Sequence, residues 1–170
     1  MVKAALAVAR SPALRYAAAT LTVSAAGLTG IKEHEGTVHR VYLDPVKIPT
    51  VCVGHTGTVS LADVGKHFTD KQCQELLRSD TKAAERAVQR YVTVPVTQAQ
   101  YDALVSFTFN VGSGNLAGST LLRKANARDC YGAGREFLRW NRAKGVVLPG
   151  LTIRRQWESN LWLSGCQPTT

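Results

Sequence analysis

The stretch from Glu35 to His55, EGTVHRVYLDPVKIPTVCVGH, decides how the rest of the chain is read. Val38, Val41, Tyr42, Val46, Ile48, Val51 and Val53 favour extended backbone, and Pro45, Pro49, Gly54 and Gly57 punctuate them into short strands, so a small antiparallel sheet is expected. Glu35 falls on the last turn of a short helix ahead of that sheet. Asp44 lies just beyond the tyrosine-bearing strand, and Thr50 opens the next. Two acids and a hydroxyl can then converge. Cleavage of a glycosidic bond by water needs such a set: one carboxylic acid to protonate the leaving oxygen, and a second carboxylate to activate water or stabilise the oxocarbenium-like transition state.

Beyond the sheet the period changes from strand to helix. Thr69 with Gln72 spells a capping box, and Cys73, Leu76, Leu77, Asp80, Ala84, Ala87, Val88 and Tyr91 follow at helical spacing until Pro95. Asp80 is the acid in this stripe. Buried without a partner it would cost several kcal/mol, so a cationic or donating neighbour is expected, and His55 is the candidate. Thr97 with Gln100 opens a second helix carrying Tyr101, Leu104, Val105 and Thr108, which stops at Asn110-Val111-Gly112. Shorter helices start at Ser119 and Asp129, the latter running through Phe137, Leu138 and Trp140. A last helix runs from about 151 to 163 with Ile153, Trp157 and Leu161 inside. Trp140, Trp157 and Trp162 read as core side chains rather than sugar platforms. The class is α+β, a small sheet lobe beside a larger helical lobe.

Residues 1–31 read as a targeting segment, separate from a domain over 32–170. Lys3, Arg10 and Arg15 precede YAAATLTVSAAGLTGI, sixteen uncharged residues dominated by Ala, Thr, Gly and Ser. That run is shorter than the roughly 20 apolar residues of a stable membrane span, and weakly hydrophobic, so insertion would be marginal. A cleaved signal, an uncut anchor able to leave the bilayer, and an amphipathic helix packed on the domain are the three readings. The 170-residue chain carries 21 Lys and Arg against 12 Asp and Glu, a net charge of +9 that attracts anionic polymers or lipid. The basic residues show no nucleic-acid-binding signature. Cys52, Cys73, Cys130 and Cys166 lack CxxC spacing, which points to disulfides in an exported protein rather than to metal.

Taken together these motifs resemble the phage muramidases of glycoside hydrolase family twenty-four. The residues that carry the resemblance are Glu35-Gly36, Tyr42-Leu43-Asp44, Thr50 and Gly54-His55-Thr56-Gly57, then Asn110-Val111-Gly112 with Gly114, Ser119 to Leu122, Trp140, and Arg154-Arg155. It covers about residues 32–164 and implies a lysozyme-like fold with the cleft between the lobes. By it Glu35 is the general acid, Asp44 the carboxylate that positions water, and Thr50 the hydroxyl that helps hold that water. The substrate implied is peptidoglycan, cut at the β-1,4 bond between N-acetylmuramic acid and N-acetylglucosamine. Arg154 matches an arginine that contacts the catalytic glutamate, and His55 with Asp80 matches a buried structural pair; Asn110 and Gly112 are read either as lining the cleft or as a helix C-cap. No metal or cofactor is called for.

The alanine- and glycine-rich segment running directly into Glu35-Gly36 resembles the signal-anchor-release endolysins. That subgroup implies export by the host machinery, an inactive form held on the periplasmic face of the inner membrane through residues 1–31, and a periplasmic enzyme after release; a monomer is expected. Leu21, Val23 and Leu28 are then expected to pack on the domain. Two positions depart from the family pattern: Lys47 and Cys52 stand where glycine is usual. A glycine at the first could take φ > 0. At the second, a cysteine near Thr50 can tie the sheet to Cys73, leaving Cys130 for Cys166, one of three possible connectivities. Two alternatives stand beside the hydrolase: a lytic transglycosylase, which needs no water-positioning acid, and a non-enzymatic cationic protein that permeabilises membranes.

Overall fold

Thr97 and Gln100 form the reciprocal cap that their spacing predicts, and it opens α4 (Gln98–Val111). This helix is the buried axis of the molecule: Tyr101, Ala103, Leu104, Val105 and Phe107 are fully inaccessible. The computed structural model describes residues 14–44 and 46–167. Lys3, Arg10 and Pro45 lie outside the described residues. Around α4 pack α1 (Ala25–Glu35), α3 (Lys82–Tyr91), α5 (Ser113–Ala117) and α8 (Pro149–Ser164); α6 (Thr120–Asn126) and α7 (Cys130–Phe137) form a pair, of which α7 lies against α8.

The sheet lobe follows α1 directly. Strands β1 (Val38–Leu43) and β2 (Pro49–Cys52) are antiparallel, with Tyr42 opposite Thr50 and an irregularity between Val38 and Tyr42. Val41, Val51, Cys52 and Cys73 make a second small core, and the Cys52–Cys73 disulfide fastens β2 to α2 (Asp70–Asp80). Cys130 is bonded to Cys166, tying the start of α7 to the end of α8. Lys47 and Cys52 adopt φ of 64° and 57°, so the hairpin demands left-handed backbone at the two positions where glycine is absent. Closing the 21-residue span restricts the unfolded chain, so replacing Cys52 and Cys73 by serine should cost about 3 kcal/mol, read as a lower Tm by circular dichroism. An unchanged Tm would show that the sheet lobe does not need the link.

Three sequence expectations are corrected, and one element is added. The apolar stripe from Cys73 to Tyr91 is two helices, broken at Thr81, where α2 ends and α3 begins. Trp140 lies past the end of α7, packed edge-on against Phe107. A second hairpin, β3 (Arg142–Ala143) with β4 (Val146–Val147), follows it without any alternating pattern long enough to announce it. On α8, Ile153 is 64% exposed, whereas Arg154, Arg155, Glu158, Ser159 and Trp162 face inward. The inner face of that helix is largely polar because its buried side chains pair with one another and with α4, so apolar spacing misassigned it.

Residues 14–31 share the helical core. Tyr16 pairs with Val96 in a short antiparallel bridge, a 3-10 turn spans Ala18–Thr20, and Ala18, Leu21, Val23, Leu28 and Ile31 are buried. Ser24 caps α1 and its backbone N–H donates to Asp102; the Val23 N–H donates to Glu85. Gly30 lets α1 approach α8 closely, since a Cβ there would fall 2.1 Å from the Trp157 ring. α1 therefore crosses the 31/32 boundary drawn on sequence. No helix of the described residues is long and apolar enough to cross a membrane.

Candidate active site

Glu35 ends α1, and Gly36, at φ 76°, turns the chain straight into β1. Its side chain is 30% exposed and accepts a hydrogen bond from Arg154 Nη1. Asp44 sits in the turn between β1 and β2, half-buried, and Oδ1 accepts from the backbone N–H groups of Val46 at 2.9 Å and Ile48 at 2.8 Å. Those two donors fix the carboxylate while Oδ2 has no hydrogen-bond partner among the described residues. Thr50 is buried, and its hydroxyl donates to the Ile48 carbonyl at 3.0 Å. With that proton committed, Thr50 can hold a water only by accepting from it.

Behind Glu35 lies an ionic cluster that sequence reading largely missed. Arg154 and Arg155 are 3% and 0% exposed, and Glu158 is 0% exposed. Arg154 Nε donates to Glu158 Oε1 at 3.1 Å and Nη2 donates to the Ser106 carbonyl at 3.1 Å. Arg155 Nη2 donates to Glu158 Oε1 at 3.2 Å and to Asn110 Oδ1 at 3.0 Å, while its guanidinium lies over the Phe107 ring. Ser106 Oγ donates to the same Glu158 oxygen at 2.6 Å. Burial pushes the Glu158 carboxyl up and Arg155 down to about 10. Arg155 is still a cation at neutral pH, and with three N–H or O–H donors on Oε1 the carboxylate is its counter-ion. The signal in the sequence was the spacing of Arg154, Arg155 and Glu158 at i, i+1 and i+4, which puts two cations and an acid on one helical face.

His34 packs on Trp157 with ring centroids 5.1 Å apart, and burial together with the Arg154 charge lowers its pKa, favouring the neutral imidazole. His55 Nδ1 lies 2.9 and 3.0 Å from the two Asp80 oxygens, and Nε2 lies 2.9 Å from the Thr58 hydroxyl. Asp80 in turn lines a cavity of about 230 Å³ with Thr108, Phe109, Gly112 and Ser113. Gly112 takes φ 88° there, serving as the C-cap of α4. A larger cavity of about 530 Å³ lies elsewhere, among Arg15, Val96, Gln100, Arg128 and Trp162, and touches none of Glu35, Asp44 or Thr50. No cluster able to hold a metal ion occurs among the described residues.

A helical lobe joined to a short hairpin, with an arginine-held glutamate at the junction and an amide-fixed aspartate in the hairpin turn, has a lysozyme-like α+β layout. The comparisons with known proteins make the class more particular. Residues 32–158 match the phage lysozyme family, and the chain belongs to it. It is 38% identical over 168 residues to the SAR-endolysin of bacteriophage PS119, covering 94% of this chain and 99% of that one. To the endolysin of Salmonella phage P22 it is 40% identical over 149 residues, covering 85% and 99%. A crystal structure of a P22 lysozyme mutant superposes with a TM-score of 0.78 at 38% identity, again over 85% and 99% of the two chains.

Proposed function

We propose that this lysozyme hydrolyses the β-1,4 bond between N-acetylmuramic acid and N-acetylglucosamine of peptidoglycan, with Glu35 as general acid. Asp44 positions the attacking water through Oδ2, and Thr50 accepts a hydrogen bond from it. The observation that carries this reading is the asymmetry of the two acids. Glu35 is gripped from one side by Arg154 and open on the other, whereas Asp44 is fixed by backbone amides. Asn110 holds Arg155 behind Glu35, Gly112 lines the small cavity that Asp80 also borders, and the His55–Asp80 pair supports the assignment of a structural role to both. Release of a product with a reducing-end N-acetylmuramic acid, measured by mass spectrometry of digested peptidoglycan, is the expected result. An anhydro-sugar product would instead identify a lytic transglycosylase.

The same proposal extends to control. Residues 1–31 hold the exported enzyme on the periplasmic face of the inner membrane, after export by the host machinery, and the monomer acts in the periplasm once they leave the bilayer. Support comes from the SAR-endolysin relatives and from the buried side chains of Leu21, Val23, Leu28 and Ile31. These side chains cannot occupy lipid and the helical core at once, and Glu35 ends the helix that they anchor.

A further inference from the structure

Glu35, assigned above as the general acid, accepts a hydrogen bond from a buried guanidinium. A general acid must hold its proton until the leaving oxygen takes it, and nearby guanidinium groups favour the ionised carboxylate instead. Two such groups, Arg154 and Arg155, are buried behind it, and buried charges are poorly screened by solvent. The other charged or titratable groups on α1 nearby are Glu33 and His34, the latter favoured as neutral. From α4 come only the neutral Ser106 and Asn110, while Asp102 engages Ser24 at the far end of α1. α2 presents Asp70 at the surface, where it meets Lys32 and, from the sheet lobe, His39. The one buried anion among the described residues in contact with both arginines is Glu158.

We infer that Glu158 is a positioning residue for the reaction: its charge offsets one of the two buried arginines, so that Arg154 can orient Glu35 without stripping its proton. The cluster of Glu35, Glu158, Arg154 and Arg155 is neutral when both acids are ionised and carries a single positive charge when Glu35 is protonated. Without Glu158 that charge would be two. Ser106 contributes by binding the Glu158 oxygen that both arginines share, which keeps the anion central. Arg155, carried over Phe107 and tied to Asn110, in turn gives the buried Glu158 a counter-ion that Arg154 alone, turned partly toward Glu35, supplies incompletely.

This inference rests on Glu35 being the acid, and the experiment separates the two claims. Glu158→Gln keeps shape and removes charge. The alkaline limb of the pH profile for peptidoglycan hydrolysis should move down by about one pH unit, a roughly tenfold loss at a fixed pH above the limb. A 13C carboxyl titration of Glu35 should move in the same sense, and it reads the electrostatics whether or not Glu35 is catalytic. The double variant E158Q/R155M restores the charge balance and should return both readings toward the native chain. If E158Q fails to fold, R155M alone should move the limb to higher pH. Activity loss in E158Q with the limb and the Glu35 titration in place would overturn the inference, as would a double variant no nearer the native profile than E158Q. Should the Glu35 titration move while the activity limb stays, the charge balance stands and Glu35 is not the acid.

Discussion

Glu35→Gln should lose peptidoglycan hydrolysis by on the order of 10²–10⁴-fold, the usual worth of a positioned general acid, while the protein keeps its fold. The amide matches the carboxyl in shape and cannot protonate a leaving oxygen. Its structural cost is small because Arg154 keeps Glu158 and the Ser106 carbonyl as partners. The Glu35 side chain is 30% exposed, so the lost ion pair is worth on the order of 1 kcal/mol or less. Clearing of purified peptidoglycan and a far-ultraviolet circular dichroism melt together test this. A variant that melts like the native protein and no longer clears the wall is the expected result. If cells were still killed without wall cleavage, the activity would belong to the cationic surface and to membrane permeabilisation instead.

The site was unevenly legible in the sequence. The hairpin was readable because prolines and glycines bound its β-branched runs, and the capping boxes at Thr69 and Thr97 stood out because each cap is a local, four-residue device. Asp80 was conspicuous as a charge on an apolar stripe, and it lies against His55. The cluster behind Glu35 was hidden for a converse reason. On α8 the buried face is the charged one, and only its tertiary neighbours, Ser106, Asn110 and Glu35, make that burial tolerable. The break at Thr81 was hidden too, since helical spacing continues across it with no proline or glycine to mark it. The N-terminal segment was the hardest to read: alanine, glycine and serine suit a weak membrane span and a closely packed helix equally well. Only the approach of Trp157 to Gly30, and of Asp102 to Ser24 and Gly27, shows how the small residues are used here.

A chain that begins at Lys32 should fail to fold, although it retains all of the family-matched region. Leu21, Val23, Leu28 and Ile31 are 8% exposed or less, and burying side chains of this kind contributes about 1.5–3 kcal/mol each. Four of them amount to about 6–12 kcal/mol, comparable with the entire stability of about 5–15 kcal/mol of a typical domain. Polar partners would be stranded as well. Glu85 and Asp102, both buried, lose the backbone donors of Val23 and Ser24, and Gln89 and Gln98 lose the Leu21 and Thr22 carbonyls. Only Lys32 to Glu35 of α1 would remain, too short to sustain a helix, so Glu35 would lose its seat even in a lobe that stayed compact. Comparing residues 32–170 with the full chain by circular dichroism, dye binding to exposed apolar surface and wall clearing tests this. The truncated form should show no cooperative melt and no clearing. Were it to melt cooperatively near the native Tm and digest peptidoglycan, residues 1–31 would be a detachable address. If it fails as expected, residues 14–31 complete the helical core, and Glu35, the proposed general acid, can be seated only when they are packed there.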